Sequence, residues 1–184
     1  MSTTGPKLPQ PESVTIPVEK SALLVLDISQ RCADPQVACH ELGPRMKAFL
    51  DRAREAGLPI IYTISTRLKG TPEGKVYSVL ERRPSEPVIF PNSFDKFTGG
   101  ELQSFLSLFD LDTLVITGYR SNISVLNTAT KATRELKYKV VIPIDGLAAE
   151  TEYEQQYTLF QFTVLPTQAA ELFTFTTLDM ISFR

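Results

Sequence analysis

The stretch from Leu111 to Ala132, LDTLVITGYRSNISVLNTATKA, decides how this chain folds. Leu114, Val115 and Ile116 form a short apolar run, rich in β-branched residues, that suits a strand buried on both faces, and Gly118 ends it. Beyond a tight turn, Ile123, Leu126, Asn127 and Thr130 recur at helical spacing, with either Ser121 or Asn122 able to cap the new helix by accepting from its free N–H groups. Strand, sharp turn and helix follow one another. In an open parallel sheet such a turn lies at the carboxyl end of a strand, where helix N-terminal N–H groups face a crevice and stabilise negative charge. Ser124, in the first turn of that helix, stands where a nucleophile gains most from those donors.

Upstream, SALLVLDISQ from Ser21 to Gln30 reads as a buried strand ending in Asp27, a carboxylate where a parallel strand meets its loop. The segment Glu41 to Ala56 carries Leu42, Met46, Phe49, Leu50 and Ala53 at helical spacing and is ended by Gly57, which makes it a crossover helix. LPIIYTIST supplies a second buried strand. The stretch from Arg67 to Pro87 holds too many Gly, Pro and charged residues for a core element and reads as an excursion at the sheet's edge or mouth. Val88 to Phe90 is a short extended segment, PNSFDKFTGG a loop, and Glu101 to Phe109 a helix with Leu102, Phe105, Leu106 and Phe109 turned inward.

Downstream, KVVIPID from Lys139 to Asp145 is a strand that again ends in an acid. Glu150 to Leu165 reads as a helix stopped by Pro166, and its Tyr153 and Tyr157 suit packing or a subunit contact. Ala169 to Phe175 makes a last helix-to-strand passage. This alternation predicts one domain of three layers, α/β/α, around a mainly parallel sheet of about six strands in a Rossmann-like arrangement, since right-handed crossovers place helices on both faces. Residues 1–20, rich in Pro, Ser and Thr, are expected to form an extended arm able to drape over a neighbouring subunit, with the domain proper at 21–184.

Composition narrows the function. A net charge of −2 with both signs interspersed gives no footprint for nucleic acid or an anionic membrane. No apolar run is long enough to span a bilayer and no secretion signal opens the chain, so a cytoplasmic location is expected. Cys32 and Cys39 are too few for a disulfide framework and are expected to be reduced. The single histidine, His40, excludes a multi-histidine metal site. Neither a Gly-x-Gly-x-x-Gly run nor a P-loop is present, and no cofactor is expected.

Taken together, LLVLD at 23–27, LVITGYRSNISVLNTA at 114–129 and YKVVIPIDGLAA at 138–149 resemble the isochorismatase-like family of cysteine hydrolases over roughly residues 20 to 180. The resemblance implies a six-stranded parallel sheet, a dimer or larger homo-oligomer, and an Asp, Lys, Cys triad. Carried over residue by residue, Asp27 matches the base and the cysteine position falls on Ser124. The lysine position, six residues before the phenylalanine that heads the next helix, falls on Pro91, with Lys96 as a second candidate five residues on. The resemblance also implies a cis peptide between Tyr119 and Arg120. Tyr119, Arg120, Ser121 and Pro91 are the expected substrate-binding residues, and Arg120 is a candidate to replace the lost cation by offsetting Asp27.

Each residue also has a structural reading: Ser124 as a capping serine, Asp27 as an ion-pair partner of Arg120, Cys32 as a small buried hydrophobe, and Arg82 and Arg83 as solvated loop charge. A hydroxyl lacks the ready ionisation of a thiol, and an aspartate of ordinary acidity, near ~3.9, is a weak base toward it. Loss of thiol and ammonium together is expected to depress hydrolysis by several orders of magnitude. Three functions follow from the sequence: a degenerate homologue that binds a small carbonyl or amide compound with weak or no turnover, an active hydrolase using Ser124 or an Asp27-activated water, or a structural or assembly subunit.

Overall fold

Alternating side-chain direction along single strands is what builds the layers. The computed structural model describes residues 7–184. In strand β2 (Ser21–Leu26) all six residues are buried. Leu23 and Val25 point to one side of the sheet and Ala22, Leu24 and Leu26 to the other, so one strand feeds two separate cores. Each fully buried leucine contributes about 1.5–3 kcal/mol, and this strand has three.

Strand β1 (Val14–Ile16) precedes β2, and helix α1 (Leu42–Glu55) follows it. Met46, Phe49 and Leu50 of α1 lie on the Leu23 face. Strands β3 (Ile60–Thr63) and β4 (Val88–Ile89) extend the sheet to one side, separated by an excursion made of short 3₁₀ turns. Helix α2 (Glu101–Leu106) leads to strand β5 (Thr113–Tyr119), which pairs with β2 on its other side. A π-helical turn at Ser121–Val125 runs directly into helix α3 (Leu126–Arg134). Strand β6 (Lys139–Pro143), the two-residue strand β7 (Leu147–Ala148), helix α4 (Glu152–Thr163), strand β8 (Phe173–Thr176) and strand β9 (Ile181–Phe183) complete the chain.

The strand order is β4-β3-β2-β5-β6-β8, every pair parallel, with β7 added to the end of β5. This is the expected single-domain, three-layer α/β fold, with six strands in one path and a seventh appended. The chain enters at β2, builds outward through β3 and β4, then crosses back to build β5, β6 and β8 on the other side. Strand order therefore reverses between β2 and β5, and a parallel sheet opens its crevice at the carboxyl end of such a junction. Register fixes the alignment there: Leu26 pairs with both Thr63 and Gly118. Asp27 and Tyr119, the next residues, come out side by side.

Local signals explain the helix ends. Thr151 and Glu154 form a reciprocal capping box at the start of α4, each side chain accepting from the other's backbone N–H. Deeper in, Arg54 of α1 is bound by Glu86 at 2.7 Å from Nε and 3.0 Å from Nη2, which ties the excursion to the first core. This is a two-pronged pair of the kind that suits a buried guanidinium.

Three expectations are corrected. Helix α2 ends at Leu106, and Phe109 is 41% exposed rather than turned inward, because the chain breaks out of the helix a turn before it. Neither Ser121 nor Asn122 caps the third helix: Val125 holds its N-cap position and Arg120 that of the π-helical turn before it, neither with a side-chain bond, while the hydroxyl of Ser121 meets Thr158 and Asn122 donates to Glu154. Within the expected arm, Val14–Ile16 pairs in parallel with Ile181–Phe183 of the same chain, and Glu12 N–H donates to Phe175. Backbone groups there find partners on the chain's own last strands, and residues 1–6 of the arm lie outside the described residues.

Candidate active site at the β2–β5 junction

Asp27 follows the last residue of β2 with a left-handed backbone, φ 55°, which aspartate tolerates better than most residues and which turns its carboxylate off the strand axis. Across the junction, Gly118 has φ 139°, and a Cβ there would lie 2.2 Å from the carbonyl oxygen of Leu26. Only glycine lets β5 approach β2 this closely. The peptide between Tyr119 and Arg120 is cis, as the resemblance implied.

Ser124 enters from the turn after β5, buried at 5% exposure, and its hydroxyl donates to Oδ2 of Asp27. The same carboxylate oxygen receives Lys96 Nζ at 2.7 Å. Lys96 is 2% exposed. It is delivered by the irregular loop between β4 and α2, which α3 holds in place: the Lys96 backbone N–H donates to Thr128 Oγ1 at 3.1 Å. The Lys96 ammonium also reaches the Ser93 carbonyl at 3.4 Å. Asp27 Oδ1, by contrast, is buried without a hydrogen-bond partner among the described residues.

A cation therefore does stand beside Asp27, and the expectation that Pro91 had replaced it is corrected. Counting residues through an irregular loop misplaces the position, because only the loop's path decides which side chain reaches the carboxylate. Pro91 is buried and does not line the cavity. Arg120, the expected substitute cation, is paired elsewhere: its Nη2 lies 2.7 Å from Glu150 Oε1, and the Tyr119 hydroxyl donates to the same oxygen. The Tyr119 hydroxyl and Arg120 together hold the Glu150 carboxyl below its ordinary value against the opposing effect of burial. Burial, first, and the Glu150 bond push the Tyr119 hydroxyl up. The Asp27–Arg120 ion pair is thus replaced by Asp27–Lys96 and Arg120–Glu150.

These groups face one cavity of about 440 Å³, whose wall includes Asp27, Lys96, Tyr119, Arg120 and Ser124. Of the expected binding residues, Tyr119 and Arg120 line it, while Ser121 and Pro91 do not. Asp145, the other acid at a strand end, instead accepts from the Leu178 N–H at 2.8 Å. Tyr153 and Tyr157 stand out from α4, 76% and 44% exposed.

Cys32 and Cys39 also form part of the cavity wall, joined as a disulfide with a Cα separation of 5.2 Å. The expectation of reduced thiols is corrected. The tight turns between them bring the two residues to bonding distance, and His40 Nδ1, 3.0 Å from the Cys32 carbonyl oxygen, holds the same loop. Seven-residue spacing carries no sign of that closure. Among the described residues, no three His, Cys, Asp or Glu side chains gather where a metal could be held, and no helix is long and apolar enough to cross a membrane.

A parallel α/β sheet with a strand-end carboxylate, a buried ammonium and a helix-opening hydroxyl at its topological junction defines the class: a three-layer α/β protein with a polar crevice at its strand ends. The Isochorismatase domain model matches residues 21–174, and the chain belongs to that family. Similar solved structures include a hydrolase of the isochorismatase family, described as putative, from Chromobacterium violaceum, with 22% identity over 93% of this chain and 96% of that one at a TM-score of 0.75. A pyrazinamidase/nicotinamidase from Streptococcus mutans shares 21% identity over 85% of this chain and 99% of its own, TM-score 0.72. N-carbamoylsarcosine amidase from Thermoplasma acidophilum shares 23% over 87% and 97%, TM-score 0.70. At these identities the likeness is one of fold. No curated protein matches the chain by sequence.

Proposed function

We propose that this protein binds a small amide or ester in the junction cavity and hydrolyses it slowly, with Ser124 as nucleophile, Asp27 as base and Lys96 as the cation beside the base. One observation carries the reading: a single carboxylate oxygen of Asp27 receives both the Ser124 hydroxyl and the Lys96 ammonium. That arrangement supports attack by Ser124 Oγ on the carbonyl carbon as its proton passes to Asp27. Collapse of the tetrahedral adduct breaks the C–N or C–O bond, and Asp27 returns the proton to the leaving amine or alcohol. Water then attacks the acyl-serine ester, again giving a proton to Asp27, and the carboxylic acid leaves with Ser124 restored. Turnover is slow because a hydroxyl, unlike a thiol, has no ionised fraction to draw on near neutral pH.

The test is Ser124→Cys, assayed for ammonia release from nicotinamide and benzamide and for hydrolysis of aryl esters. A thiol in this position is expected to raise turnover about a hundredfold or more, some 2.7 kcal/mol of barrier. Silence of both proteins across the panel overturns hydrolysis. The family resemblance further supports a homo-oligomer, and native mass measurement of the full chain would reveal a dimer or larger species.

A further inference from the structure

The chain is acidic overall, with a net charge of −2, yet the lining of the junction cavity holds Arg31, Arg67, Lys96 and Arg120 against Asp27 alone. Within that site the acids and bases pair off: Asp27 meets Lys96, and Glu150 meets Arg120, each at 2.7 Å. Two guanidiniums are left over. Arg31 and Arg67 both line the cavity, both are exposed, and neither has a carboxylate in ion-pair contact among the described residues. Arg31's charge does reach Glu150, whose carboxyl is held low first by the Tyr119 hydroxyl, then by Arg120, and only then by Arg31 through space.

The placement follows from the fold. Strands β2 and β3 are parallel neighbours, and their carboxyl ends lie level. The 3₁₀ turn Gln30–Ala33 carries Arg31 beyond β2, and the turn Thr66–Leu68 carries Arg67 beyond β3. The Cys32–Cys39 disulfide, next in sequence to Arg31, anchors the first of these turns. The rest of the wall offers apolar contact: Ile64, Leu68 and Ile123 line the cavity with Phe94, whose ring is 61% exposed. Apolar walls with two guanidiniums outside ion-pair contact among the described residues match a ligand with an apolar body and an anionic end. The guanidinium fork binds a carboxylate through two parallel hydrogen bonds, and a crevice with low-dielectric walls concentrates that attraction.

We propose that the ligand of this cavity is a carboxylate-bearing carbonyl compound, an amide or ester whose second, free carboxylate is held by Arg31 and Arg67 while its body lies against Phe94. The assignment of the reacting end rests on the hydrolase reading above; the recognition of the anionic end does not. The experiment therefore measures binding with chemistry removed, by calorimetry on Ser124→Ala and on Ser124→Ala carrying Arg31→Gln and Arg67→Gln. The probes are two matched pairs, 4-carbamoylbenzoate against terephthalamide and succinamate against succinamide, each differing only in one carboxylate.

In at least one pair the anionic member is expected to bind ten times or more tighter than its neutral partner. That preference shrinks on raising salt from 50 to 300 mM, as a partly exposed ion pair must, and disappears with both arginines replaced, while the neutral member's affinity is unchanged. Equal affinities within both pairs, no binding by any of the four, or a preference that survives the double replacement each overturns the proposal. Failure of hydrolysis alone, with the charge preference intact, would remove the catalytic reading and leave this one standing.

Discussion

Lys96 Nζ lies 2.7 Å from Asp27 Oδ2, and the lysine side chain is 2% exposed while the aspartate is 18% exposed. The lysine is closed from solvent, while the aspartate side chain keeps part of its surface at the cavity wall. A buried ion pair of this kind is more costly to break than it is valuable to form, since removal of one partner strands the other charge.

Replacement of Lys96 by Met is accordingly expected to lower stability by about 3 kcal/mol. The same change is expected to reduce kcat/KM by about a hundredfold or more where turnover is measurable, using Ser124→Cys as the parent. Denaturant unfolding and steady-state kinetics read the two effects separately. A variant as stable and as fast as its parent would mean that the ammonium is idle.

Gly118→Ala tests the close approach of β5 to β2. The added carbon would meet the Leu26 carbonyl oxygen at 2.2 Å in a backbone region that L side chains rarely adopt. Overpacking and backbone strain each cost about 1–3 kcal/mol, so a loss of roughly 2–5 kcal/mol is expected. Thermal unfolding checks it, and a variant within 0.5 kcal/mol of the parent, a rough bound for an ordinary surface change, would contradict the geometry.

Reduction of the Cys32–Cys39 bond, or the double change to Ser, frees a short loop. With a sequence separation of seven, chain entropy assigns the cross-link about 2.5 kcal/mol. The expected outcome is a lower unfolding midpoint in dithiothreitol for the native protein and no response to dithiothreitol in the double variant. An unchanged midpoint in the native protein would count against the cross-link.

Acid stability should depend on Glu86. Burial alone would raise its carboxyl, but hydrogen bonds from Arg54 and from the Arg83 backbone N–H outweigh burial and hold it below its ordinary value of 4.5. A group lowered in the folded state stabilises above its unfolded value, and that contribution is lost as the pH falls through the folded value. Stability is therefore expected to drop below about pH 4.5. In Glu86→Gln the curve should start lower at neutral pH and fall less steeply in acid, as read from urea midpoints between pH 3 and 7. Parallel curves for the two proteins would refute the assignment.

The elements of the sheet were legible because their signals are local. An unbroken apolar run at Ala22–Leu26, helical spacing at Leu42, Met46 and Phe49, and the glycine that ends the β5 run depend on neighbours a few residues away. Asp27 and Ser124 could be marked for the same reason, since a strand end and a helix start are themselves local features. Strands β1 and β9 escaped notice because three-residue strands carry little pattern, and their pairing joins the two ends of the chain.

What the sequence determined by itself was the parallel three-layer sheet, the strand-end acid and the helix-opening hydroxyl, all written in short-range periodicity. Only the tertiary structure decided which cation meets Asp27, that Arg120 turns to Glu150, that Cys32 and Cys39 are joined, and that Arg31 and Arg67 line one cavity. The reason is physical. Pairings between charges and between thiols are set by the paths of irregular loops, which have no periodicity to read, and those paths are fixed by packing against distant parts of the chain.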